Sequence, residues 1–260
     1  MNKYGYHRLT VKQFHDLIKW NGVDYFELIQ IVTGLDYDVV MNLVEKPKSY
    51  QQFEFLKESI FDYLKNKPLQ KIRIGDKRIE PVENISIEWF GKKMVAMNLI
   101  RPHLTDSKQM MNVMCDLVAV YTCDHYFDEF NETNLAKMTS LLMDCRLYQV
   151  YPYFVYLVDN VSKLQIHQIN SLTLDSEYLT ANKRRLTANA ERAGVDRLEQ
   201  FGDMNLIDQF IRHYPAYKHD DVFKCEFAFV VDRLKSRMIE QNIEELHTEY
   251  IMNRNKTTHV

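Results

Sequence analysis

The sequence predicts a mainly α fold: a multi-helix globular domain with one small β-hairpin and a long C-terminal helix. Three observations lead there. The 260 residues are 46% hydrophobic and 12% aromatic yet include only 7 Gly and 6 Pro, which favours long packed segments over a turn-rich β fold. Apolar residues recur at 3–4 spacing in segment after segment, the repeat that gathers side chains on one face of an α-helix. The period shortens to two around Gly75-Asp76, where a hairpin is expected.

Each element follows from a local pattern. Thr10 precedes VKQFHDLIKW, in which Phe14, Leu17 and Ile18 share a face, and its hydroxyl can accept a bond from a first-turn backbone N–H. Asp24 has the same role for YFELIQIVT, with Ile29 and Val32 inward, and Gly34 stands where helices end in the left-handed conformation. Asp36 opens DYDVVMNLVEK. Beyond Pro47, Ser49 and Gln52 match a capping box ahead of a stripe of Phe53, Leu56, Ile60 and Leu64. After Pro68, Ile72, Ile74 and Ile79 alternate with Arg73, Lys77 and Arg78 around a turn whose Gly accepts a positive φ. Pro81 ends the hairpin. A helix is expected from about Ser86 to Pro102, with Gly91 a weak point within it.

In the middle of the chain, Met110, Met114, Leu117, Val118 and Tyr121 fall in helical register, as do Leu135, Met138 and Leu142, so two core helices are predicted. RLYQVYPYFVYLVDNVSKL is more apolar than amphipathic, which predicts a helix buried on most sides, kinked or begun at Pro152. From Leu174 the chain turns polar and charged. Residues 174–194 therefore read as a polar linker helix or arm, closed by Gly194, between a helical domain over 1–173 and a C-terminal helical segment over 195–260. That last segment holds a short helix at MNLIDQFIRHY and one long helix from DDVFKCEF to HTEY, capped by Asp220 or Asp221.

Charge and cysteine usage exclude several classes. With 33 basic against 36 acidic residues the net charge is -3, so no global attraction to nucleic acid or an anionic membrane follows. No run reaches the ~20 apolar residues of a spanning helix, and the start MNKYGYHRLT lacks the apolar core of a signal peptide. Cys115, Cys123, Cys145 and Cys225 lie apart in apolar helical patterns and read as packed thiols in a reducing cytoplasm, or in something assembled there.

Several constellations can carry chemistry, and each has a plainer reading. Cys115, Cys123 and His125 are of ligand type for zinc but lack paired ligand spacing, so buried thiols and a helix-end histidine are the better account. His213 and His219 flank a loop with no nucleophile or carboxylate evident beside them. Asp128, Glu129 and Glu132 are acids before a helix, as the helix dipole favours. Lys183, Arg184 and Arg185 could meet phosphates or a partner's acidic patch. The hairpin, marginal alone, must pack Ile72, Ile74 and Ile79 on neighbouring helices or be completed by another chain, which makes Ile72, Arg73, Ile74, Lys77 and Arg78 candidate partner-binding residues beside Lys183, Arg184 and Arg185. Phosphate-loop, dinucleotide, nucleophile-elbow and zinc-protease motifs are absent as written patterns, so the expectation is a non-enzymatic protein with no catalytic residues, no metal and no cofactor.

The order of segments LTVKQFHDLI, YFELIQIVTGLDYDVVMNLV, SYQQFEFLKE, KIRIGDKRIEP, NETNLAKMTSLLMDCRLYQVYPYFVYLV, FGDMNLIDQF and DDVFKCEFAFVVDRL resembles the tail-assembly-chaperone-like and virion-associated structural proteins of tailed bacteriophages, those of crAss-like and related phages of Bacteroidetes. The likeness spans most of the chain through diffuse apolar patterns; the tyrosines of RLYQVYPYFVYLV and the arm from Asp175 to Arg192 depart from it. The resemblance implies a phage structural or assembly protein at the tail, neck or portal-proximal region. Other phage structural or assembly proteins would be its partners, and it would form a homo-oligomer or a component of a ring. It also implies a virion location, with assembly in the host bacterial cytoplasm, and no catalytic residues. A nucleic-acid-associated protein packaged with or bound to the genome, acting through the stretch from Lys183 to Arg197, is the alternative.

Overall fold

The computed structural model describes residues 5–20, 22, 24–44, 56, 59–65, 67–173 and 202–257. It is mainly helical, with one two-stranded hairpin and a long C-terminal helix. The chain divides into two compact units, Met1–Glu83 with Val95–Asn160 and Asn84–Met94 with Val161–Val260. This division does not follow the composition shift at 174, because Phe90, Leu164 and Leu172 pack into the same core as the C-terminal helices. The polar stretch 174–194, with Gly194, and the Ser49–Gln52 cap lie outside the described residues.

In the first unit, α1 (Val11–Lys19) begins at a complete capping box. Gln13 N donates to Thr10 Oγ1 at 3.2 Å while Thr10 N donates to Gln13 Oε1 at 2.9 Å. Asp24 Oδ1 accepts from Phe26 N at 2.8 Å to start α2 (Tyr25–Thr33), which ends at Gly34 with φ 69°. α3 (Tyr37–Val44) and the short α4 (Ile60–Leu64) follow, the latter capped by Ser59. β1 (Ile72–Ile74) pairs antiparallel with β2 (Lys77–Ile79), Ile72 opposite Ile79 and Arg73 opposite Arg78, across a turn in which Gly75 takes φ +58°.

α5 (Phe90–Ile100) contributes to both units, whereas α6 (Ser107–Asn112), α7 (Met114–Phe127) and α8 (Glu132–Met143) belong to the first. The helix expected over 107–123 is thus two, divided at Val113. α7 and α8 pack against each other, with Leu117, Val118, Tyr121, Met138 and Leu142 fully buried. Of the acidic run between them only Glu132 stands in the first turn of α8, as the capping reading expects; the cap itself is Asn131, whose Oδ1 accepts from Asn134 N, and Asp128 closes α7 at its carbonyl end with φ 59°.

α9 (Leu147–Ser171) is continuous through Pro152. Pro152 lies in the second turn and removes one bond, to the carbonyl of Tyr148, so the helix neither starts nor breaks there. Nor is α9 buried on most sides. Val150, Tyr153, Phe154, Leu157 and Val161 turn inward, while Val155, Ile166 and Ile169 are exposed.

The second unit contains α10 (Gly202–His213), α11 (His219–Lys224) and α12 (Phe227–Thr257). Phe90, Ile207, Phe210, Val222, Phe227 and Val230 form its core, and the rings of Phe90 and Phe227 stack at 6.0 Å. The single C-terminal helix expected from Asp220 is divided, because Cys225 and Glu226 are drawn out to meet residues 88–90. Phe90 N donates to Cys225 O at 2.7 Å, Phe227 N donates to Glu88 O at 2.9 Å, and Trp89 bridges to Glu226. A helix through 225–226 would leave those backbone groups without these partners. The same contact holds Trp89 extended, so only a 3₁₀ turn (Ile85–Ile87) precedes α5. Asp221 does serve the start of α11, accepting from Lys218 N at 2.9 Å. No helix among the described residues is long and apolar enough to cross a membrane.

Candidate docking groove

Of the residues the sequence put forward, the hairpin gives a mixed result. Ile72, Ile74 and Ile79 are buried within the first unit, so their side chains pack on the chain's own elements. Lys77 pairs with Ile74 on the inward face, yet its stem lets the ammonium reach past it: Nζ donates to Tyr126 O at 2.8 Å and sits 4.6 Å over the Tyr126 ring. A cation there meets the carbonyl end of α7, which stabilises it. Arg73 and Arg78 are exposed, directly opposite one another on the outer face. Lys71 and Glu80 form an exposed ion pair at the hairpin's open end. Lys183, Arg184 and Arg185 lie outside the described residues.

The chain just before the hairpin forms one wall of a groove of about 470 Å³. Phe61 from α4, Leu69, and Tyr151, Pro152 and Val155 from α9 supply its apolar lining, with Lys65 and Lys67 on the rim. Two of its lining rings, Phe61 and Tyr151, belong to an aromatic triad completed by Phe14. Phe14 and Phe61 are 6.0 Å apart, Phe14 and Tyr151 6.2 Å, and Phe61 and Tyr151 6.5 Å, the first two pairs edge-to-face. Phe14 is buried, which fixes the triad from below, whereas Phe61 is 47% and Val155 46% exposed. Burial raises the Tyr151 hydroxyl above its ordinary range, so it stays a protonated hydrogen-bond donor. Lys67 Nζ lies 4.2 Å over the Tyr63 ring. α9 also meets the approach to the hairpin directly, where Gln149 Nε2 donates to Lys71 O at 3.2 Å.

Composition hides the charge of this surface. Lys65, Lys67, Lys71, Arg73 and Arg78 outnumber Asp62, Asp76 and Glu80 in a chain that is acidic overall. Like charges directly opposite across a hairpin cost stability, yet Arg73 and Arg78 occupy that position.

The other candidates resolve into structure. Cys115, Cys123 and His125 do not converge, and within either unit no three His, Cys, Asp or Glu ligands converge among the described residues. Cys115 Sγ meets Met143 Sδ at 3.6 Å, and burial, with Asp116 and Cys145 adding to it, pushes its thiol up to about 12. His213 ends α10, and His219 Nε2 lies 2.9 Å from Asp208 Oδ1. That carboxylate, one turn before the end of α10, is one the sequence did not place beside His219.

Two features escaped sequence reading. Phe61, Tyr151 and Val155 seat the groove, and the available signal was an aromatic lying off the Ile60–Leu64 line, with Tyr151 and Val155 spaced i,i+4. Lys92 and Lys93 are both buried, in the second unit. Lys92 pairs with Glu88 one turn earlier. Lys93 Nζ reaches Gln165 Oε1, Gln168 Oε1 at 2.9 Å and Asp203 Oδ2 at 2.8 Å, which occupies the three donors of an ammonium. An ammonium so saturated ties these three side chains together as a structural centre.

No family model, curated protein or solved structure matches the chain.

Proposed function

We propose that the chain is a non-enzymatic structural or assembly protein of a tailed bacteriophage, acting through protein–protein contacts at the tail, neck or portal-proximal region. The groove between α4 and α9, with the basic face of the hairpin, is the partner-binding surface in this reading. The observation that carries it is the pre-organised aromatic triad within an exposed apolar lining with a cationic rim. Rigid aromatic anchors inside a polar rim are where binding energy concentrates in protein interfaces. The partner it fits has an apolar side chain for the Phe61–Tyr151–Val155 seat and carboxylates nearby for Arg73 and Arg78. The segment order that resembles phage assembly proteins supports the phage assignment.

Cross-linking of the tagged chain during particle assembly tests this, with the recovered proteins identified by mass spectrometry. Recovery of tail, neck or portal-proximal proteins, lost in a Phe61→Asp/Val155→Arg variant, is the expected result. Recovery of the chain without any particle protein overturns it. So does a salt-dependent gel shift abolished by neutralising Lys183, Arg184 and Arg185 and unaffected at the groove, which marks the nucleic-acid alternative.

A further inference from the structure

We infer that the C-terminal helix α12 pairs in parallel with the same helix of a second copy of this chain. This goes beyond the groove and stands without it. Two lines of side chains run along α12, with Ile251 and Met252 exposed beyond both. Val231, Leu234, Met238 and Asn242 follow the first and turn inward, with Val231, Leu234 and Asn242 buried. Ile239, Ile243, Leu246 and Tyr250 follow the second and are 41%, 60%, 36% and 67% exposed. Their spacing of four, three and four is the alternation of core positions in a coiled coil. At 3.6 residues per turn the four fall within roughly 60° of arc, about 100° around the helix from the inward line. An isolated exposed apolar residue needs no account, but a seam in register on the outer face does.

The flanking charges select the occupant. With Ile239 and Leu246 at d, and Ile243 and Tyr250 at a, the g positions are Lys235, Asn242 and Glu249, and the e positions are Glu240, His247 and Arg254. In a parallel, in-register pair each g residue meets the e residue five positions later on the other helix. That brings Lys235 to Glu240 and Glu249 to Arg254, both of opposite charge, while Asn242, the g residue between them, is buried within its own chain and takes no part. Glu240 is already held on this edge by Arg237, at 3.0 Å one turn earlier. The seam is thus complementary to itself. Antiparallel pairing would keep an attractive contact, Glu240 with Arg254, while setting His247 against His247, so charge reversals are what separate the two directions.

Light scattering on the full chain across a dilution series reads the association directly. The expected mass at high concentration is twice the 31.1 kDa of one chain. Ile243→Glu with Leu246→Glu should halve it, leaving helical circular dichroism unchanged. Glu249→Lys alone should weaken association several-fold, and adding Arg254→Glu should restore it. A wild-type monomer at every concentration overturns the proposal, as does a seam variant that still dimerises. A double reversal that fails to restore association overturns the parallel arrangement. Should the seam variant lose helix, the charge-reversal series decides alone, since it leaves the apolar residues in place.

Discussion

Lys93 Nζ lies 2.8 Å from Asp203 Oδ2, joining α5 to α10 across 110 positions of sequence inside the second unit. Asp203 is fixed in turn by Gln168, whose Nε2 donates to Oδ1 at 2.9 Å. Both charges are almost wholly withdrawn from water, so each depends on the other to offset its desolvation. Asp203→Asn or Lys93→Met alone should cost about 3–5 kcal/mol, because each leaves one uncompensated buried charge. The pair Lys93→Met/Asp203→Asn removes both charges and should recover most of that loss. Urea unfolding of the four proteins gives the coupling. Additive single losses would mean the pair is not a unit.

That relationship also marks where the sequence ceased to be legible. Local patterns were enough for Thr10, Asp24, Gly34 and the Gly75 turn, since capping and turn chemistry are decided within four residues. The alternation of Ile72, Ile74 and Ile79 likewise located the buried face of the hairpin. What local patterns could not supply was decided by distant partners. The break at Cys225–Glu226 depends on Glu88 and Phe90, and the burial of Lys93 depends on Gln165, Gln168 and Asp203. The groove needed Phe14, Phe61 and Tyr151 brought together from three helices. Charge alternation also misjudged Lys77, because a lysine on the inward face can extend its ammonium to a helix end.

Gly91 illustrates the same limit with an opposite sign. Propensity marks it as a weak point of α5, but a Cβ there would lie 2.2 Å from the Phe223 ring of α11. Gly91→Ala, which adds helix propensity, should therefore destabilise the second unit by about 1–3 kcal/mol through overpacking. Gly91→Ala/Phe223→Ala should lose less than the two single changes combined. Thermal unfolding monitored by circular dichroism reads both, and a stabilised Gly91→Ala protein would refute the close approach.

His15 gives the first unit an acid-side sensitivity. Its pKa is lowered from the ordinary 6.5, first by burial and then by Lys19, against the opposing effects of Asp16, Asp116 and a hydrogen bond with Asn112. Above pH 6.5 the imidazole is neutral in both folded and unfolded chains, and its contribution is complete. As pH falls through 6.5 the unfolded chain takes up the proton first, so stability drops until the lowered folded value is passed. His15→Gln should flatten this step in stability measured against pH. An unchanged step would assign it to other groups.

The thiols should react in an order set by burial. Cys115 is pushed up to about 12 and Cys145 to about 11, each chiefly by burial, so neither supplies thiolate near neutrality. Cys225 is half-buried at the extended break before α12, its thiol raised by burial and then by Asp221. Timed alkylation read by peptide mass spectrometry should modify Cys225 first, with Cys115 and Cys145 following only on unfolding. Early labelling of Cys115 would show that the α7–α8 pair opens in the native state.

The outer face of the hairpin separates stability from binding. Arg78 faces Arg73 across the ladder, while Arg73 Nε also donates to Gly75 O at 3.2 Å. Arg78→Glu retains that turn contact and replaces a like-charge pair by an opposite one, worth about 0.2–1 kcal/mol in favour of the folded state. The same change reverses the charge offered to an acidic partner, so the variant should melt higher and, under the proposed docking role, capture that partner less well. Thermal unfolding and cross-linking yield on one preparation measure both. A variant that is more stable and binds undiminished would remove the hairpin from the docking surface, whereas a less stable one would mean that Arg73 and Arg78 do not repel across the strands.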